Sequence, residues 1–107
     1  MTGGLFNMTT TRSIAEATTE EYVEIGHRQP PKGYKNIDLA KIGIRKLEKS
    51  VKDCDTDTSA LTLSSARWLE NAFYSREIIE EDYDKLMSNI KGQTRKFIRD
   101  CGCSKSP

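Results

Sequence analysis

The sequence predicts an all-α fold, a small three- to four-helix bundle with short connections and a flexible N-terminal segment. Three observations carry that prediction. Ile37, Ala40, Ile44, Leu47, Val51 and Cys54 recur at alternating spacings of three and four, a seam of period about 3.5 that packs one helix lengthwise on another. Two later segments repeat apolar residues at helical spacing. No run of alternating apolar and polar residues is long enough for a strand.

Residues 1–12, with Gly3, Gly4 and Thr9-Thr10-Thr11, have no apolar period and read as unstructured. Ser13-Ile14-Ala15-Glu16 and Thr18-Thr19-Glu20-Glu21 both have capping-box spacing, so a short acidic helix is expected over 13–25. Its thin stripe of Ile14, Ala17, Tyr22 and Ile25 suggests a segment that docks loosely or serves a partner. Gly26 to Gly33 contains Pro30-Pro31, which fixes two φ angles and reads as a semi-rigid linker. The seam helix then runs over about 36–54, capped by Asn36. Leu39 and Ile42 fall off the seam, so its N-terminal half has a second apolar face.

A third helix is expected over about 59–76, capped by Thr58 or Ser59. Leu61, Ser65, Trp68 and Ala72 form one row, with Leu69 and Phe73 beside it. A fourth spans about 79–100, with Ile79, Tyr83, Leu86, Ile90, Phe97 and Cys101 on one face and Gly92 interrupting it. The domain reading is an N-terminal arm over 1–35, a bundle over 36–101 and a disordered tail over 102–107. Trp68, Leu69, Phe73, Leu47, Ile44, Leu86 and Ile90 are the expected core.

Composition narrows function. The chain has 107 residues, 36% hydrophobic and 31% charged, so its core is small and its stability margin thin. Self-association is a common remedy. Net charge is +1, so any electrostatic partner must be recognised by a local patch. No apolar stretch approaches the roughly 20 residues that span a bilayer, and no membrane role is expected. Three cysteines, Cys54, Cys101 and Cys103, with no export signal in the sequence read as reduced thiols, and the expected location is cytoplasmic.

Candidate chemistry is sparse. Asp53, Asp55 and Asp57 alternate like the first ligands of a calcium loop. Thr58 stands where that loop needs its glycine, and Ser64 where it needs the bidentate glutamate, so the segment reads as a turn leading into a helix. Cys101-Gly102-Cys103 with Cys54 and His27 would supply four zinc ligands, but the spacing is tighter than usual and nothing in the sequence brings His27 near. No metal and no cofactor are expected. His27 is the single histidine and lies in the linker, and no serine or cysteine has a paired base, so no enzyme is expected.

WLENAFYSREIIEEDYDKLMSNI resembles the short C-terminal helical modules attached to many bacterial proteins, over about a fifth of the chain. The resemblance implies self-association. Glu80 stands where those modules commonly carry a capping Ser or Thr, and no family is assigned from it.

Two functions remain. The favoured one is a small non-enzymatic protein–protein interaction module, an adaptor, regulator or inhibitor that self-associates as a dimer. It would dock another protein on the apolar surface around Tyr34, Leu39 and Ile42. The alternative is a nucleic-acid-binding protein using Lys91, Arg95, Lys96 and Arg99 at the basic end of the last helix.

Overall fold

A computed structural model describes residues 14–25 and 29–102. The segment expected to be unstructured at the start, the Ser13 cap, His27, Cys103 and the expected tail over 103–107 therefore lie outside the described residues. A 3-10 turn, Ile14–Glu16, precedes α1, Thr19–Ile25. Three long helices follow: α2, Asn36–Lys52, α3, Thr58–Tyr74, and α4, Glu80–Phe97. A π turn, Ile98–Gly102, ends the described chain. No strand occurs among the described residues. Helices α2, α3 and α4 each touch the other two, so the fold is a small helical bundle.

The seam behaves as its spacing requires. Ala40, Ile44, Leu47 and Val51 are buried on α2. They meet Leu61, Trp68, Leu69 and Ala72 of α3 and Ile90 of α4 in one core. Phe73 and Leu86 were expected there too, but both are half-buried. Phe73 instead lies against the Tyr83 ring, with centroids 4.7 Å apart, at the α3–α4 corner.

The first helix is shorter and more firmly placed than its thin stripe suggests. Thr18 and Glu21 form the expected capping box: Glu21 N–H donates to Thr18 Oγ1 at 3.1 Å, and Thr18 N–H donates to Glu21 Oε1 at 2.9 Å. Tyr22 is fully buried, and its hydroxyl donates to the Leu39 carbonyl at 2.7 Å. Gly43 makes this possible. A Cβ there would collide with Tyr22 Oη and Ser65 Oγ, so both hydroxyls occupy the space that a side chain would fill. The second apolar face of α2 is thus covered by the chain's own N-terminal segment. Ile14 is buried in the same core, and Lys46 Nζ donates to the Ala17 carbonyl. Over 14–25 the expected arm is packed on the bundle.

The helix ends also differ from expectation. Asn36 does not cap α2. The Glu77 carboxylate, from the α3–α4 corner, accepts from Ile37 N–H at 2.8 Å and from Asn36 Nδ2 at 2.9 Å. A carboxylate at a helix N-terminus satisfies open N–H groups and meets the positive end of the dipole. Neither Thr58 nor Ser59 caps α3. Asp57 holds the capping position, and Thr58 is the first helical residue, with its buried hydroxyl 2.6 Å from Ser50 Oγ. Both α2 and α3 end in a left-handed residue that is not glycine, Cys54 at φ 53° and Arg76 at φ 61°. The N–H groups of Asp55 and Glu77 reach back five residues to the carbonyls of Ser50 and Ala72, the Schellman pattern.

Two outcomes follow from this packing. Gly43→Ala destabilises by about 1–3 kcal/mol through overpacking, whereas Gly92→Ala, where a Cβ meets nothing within 4 Å, stabilises by about 0.5–1 kcal/mol. Urea melts of both variants read the sign directly. Burial also pushes the Tyr22 phenol well above its ordinary 10.0. The unfolded chain ionises first as pH rises, so the contribution of Tyr22 is complete below pH 10.0 and lost above it. The loss is about 1.4 kcal/mol per pH unit. The fall between about pH 9 and 11 is shallower in Tyr22→Phe than in wild type, as paired urea melts report.

Candidate functional site

The structure buries part of the expected docking surface. Leu39 is fully buried, so it is not available to a partner. Ile42 and Tyr34 are half-buried against the core. The Tyr34 hydroxyl accepts from Ile14 N–H at 3.2 Å. The physical reason is the docking of Tyr22, which covers the face that the sequence left open.

The four basic residues of the alternative reading, Lys91, Arg95, Lys96 and Arg99, are all exposed. Lys91, Arg95 and Lys96 lie on α4, and Arg99 lies in the π turn that follows it. Its Nε donates to Asp100 Oδ1 at 2.9 Å. That bond holds the Asp100 carboxyl below its ordinary value and raises Arg99. An anion approaching Arg99 competes with this carboxylate.

The three aspartates are distributed through a turn. Asp53 closes α2, Asp55 Oδ1 accepts from Asp57 N–H at 3.1 Å, and the Asp55 carbonyl accepts from the Thr58 hydroxyl at 2.8 Å. Among the described residues, no group of three or more His, Cys, Asp or Glu is placed to hold a metal ion. The cysteines need a correction. Cys54 and Cys101 are not reduced thiols but a disulfide, with Cα atoms 5.4 Å apart. The Schellman turn at the end of α2 and the π turn after α4 bring the two ends together. The bond closes a separation of 47 residues and ties the last described turn to the foot of α2.

The candidate site that the sequence reading missed is the outer side of α3. Leu63 and Tyr74 are 73% and 78% exposed there. An open groove of about 540 Å³ runs beside Leu63, lined by Val23 of α1 and by Ala60, Ser64, Ala66, Arg67 and Glu70 of α3. Its lining is mostly apolar and includes one cation, Arg67, and one anion, Glu70. Such a groove suits apolar side chains flanked by charges of both signs. The signal was present in the sequence. Ala60, Leu63 and Ala66 lie off the row of Leu61, Ser65, Trp68 and Ala72, so α3 is apolar on more than one side.

The chain matches no protein-family model, no curated protein and no solved structure.

The disulfide yields a direct outcome. Reduction, or Cys101→Ser, lowers stability by about 2–4 kcal/mol. Urea melts with and without reductant measure the loss in wild type and show none in the variant.

Proposed function

We propose that the chain is a small non-enzymatic helical protein–protein interaction module, an adaptor, regulator or inhibitor, and that it self-associates. The observation that carries this reading is the outer side of α3, where two large apolar side chains and an apolar groove stand open to solvent. Scattered single apolar residues need no explanation. Leu63 beside a groove that also contains Val23, Ala60 and Ala66 is a contiguous surface.

The second reading, nucleic-acid binding through Lys91, Arg95, Lys96 and Arg99, is supported by the exposure of all four side chains. It is weakened by the Asp100 carboxylate held against Arg99. A gel shift that weakens steeply with salt would move the assignment to this reading.

The cytoplasmic location expected from the odd cysteine count sits against the Cys54–Cys101 bond, because cytosolic thiols are held reduced. On that bond we favour an oxidising compartment as the place of work. No helix among the described residues is long and apolar enough to cross a membrane.

Light scattering over a concentration series tests the self-association. The wild-type mass rises from 12.1 kDa toward twice that value, whereas Leu63→Lys stays near 12.1 kDa at the same concentrations with an unchanged melting temperature. A wild-type mass that never leaves the monomer value counts against the reading.

A further inference from the structure

The exposed side of α3 is self-complementary. Leu63, Arg67, Glu70 and Tyr74 follow one another at spacings of four, three and four, so they form a single stripe along the helix. All four are exposed, and neither Arg67 nor Glu70 forms an ion pair among the described residues. Read along the helix, the stripe runs apolar, cationic, anionic, apolar.

We propose that a second copy of this chain docks on this stripe, its α3 antiparallel to the first about a two-fold axis passing between positions 68 and 69. This rests on the self-association reading and gives it a surface and a geometry. Under that axis, position 63 faces position 74 of the second copy, and position 67 faces position 70. Each apolar end meets an apolar end, and each arginine meets a glutamate, twice over. A closed pair of this kind uses the same patch on both subunits, which the symmetry of the stripe satisfies. The parallel alternative sets Arg67 on Arg67 and Glu70 on Glu70, so like-charge repulsion selects the antiparallel one. The groove beside Leu63, with Val23 and Ala66, receives the ring of Tyr74 from the second copy. An aromatic side chain in an apolar groove is the usual anchor of such a contact. A helix-on-helix contact lies at the small end of the interface range, so the pair forms in a concentration-dependent way.

Charge exchange tests the geometry. Arg67→Glu and Glu70→Arg are made singly and together in the full chain, and sedimentation equilibrium reads the dimer constant. Each single exchange sets like charges opposite each other at two places and weakens the dimer about tenfold or more. The double exchange restores opposite signs and returns the constant to within about threefold of wild type. Both positions are exposed, so circular dichroism melts remain at the wild-type value. Single variants that dimerise as tightly as wild type overturn the proposal, and so does a double variant as weak as either single. A wild-type chain that associates but ignores the exchanges removes this docking alone. A wild-type chain that never associates removes the self-association reading along with it.

Discussion

The bundle depends on a missing side chain. With no Cβ at Gly43, the Tyr22 hydroxyl enters beside α2 and donates to the Leu39 carbonyl, next to Ser65 of α3. That contact turns a short N-terminal segment into the cover of a second apolar face. Without it, Leu39 and the inner side of Ile42 would face water. A ring of this size buried among aliphatic side chains contributes through its area, while its one polar atom must find a partner in the same place. Gly43 supplies the room and Leu39 supplies the acceptor.

Helix α4 adds less to the core than α2 and α3 do. Helix α4 contributes one fully buried apolar residue, Ile90. Its other apolar contacts with the core are half-buried, and Asn89 Nδ2 donates to Glu48 Oε2 at 3.3 Å on the exposed side. Ties at the helix termini offset this. The Glu77 carboxylate joins the α3–α4 corner to the start of α2. The Ser50–Thr58 hydroxyl pair joins the end of α2 to the start of α3. The Cys54–Cys101 disulfide joins the end of α2 to the turn after α4. A small core with a thin margin is secured in this way without added length. With the inner surface secured, the apolar outer side of α3 is left open to solvent.

The long helices were legible because their apolar spacing is local information. Ala40 to Val51 and Leu61 to Ala72 repeat with the helical period, and all that is needed to read them is the neighbouring residue. The Thr18–Glu21 box was legible for the same reason. What the sequence concealed was long-range. Asp38 accepts locally from Lys35 N–H, but the carboxylate that meets Ile37 N–H comes from about 40 positions away, so Asn36 was a misleading signal. The partner of Cys54 lies 47 positions along, and an odd cysteine count does not announce it. Leu39 and Ile42 looked open because the fate of Tyr22 cannot be read from the thin stripe around it. Leu63 was passed over because one apolar row already accounted for α3, and the surplus on its other side appears only when each residue is placed.

The reach of Glu77 has a consequence for a chain made from its N-terminus. When α2 leaves the ribosome, the carboxylate that completes its first turn lies 25 residues behind Lys52 and is still inside the exit tunnel. The Asn36 and Ile37 N–H groups must bond water until the α3–α4 corner has emerged. The bundle therefore closes late in translation, and the nascent α2 spends that interval with a frayed start that a chaperone could hold.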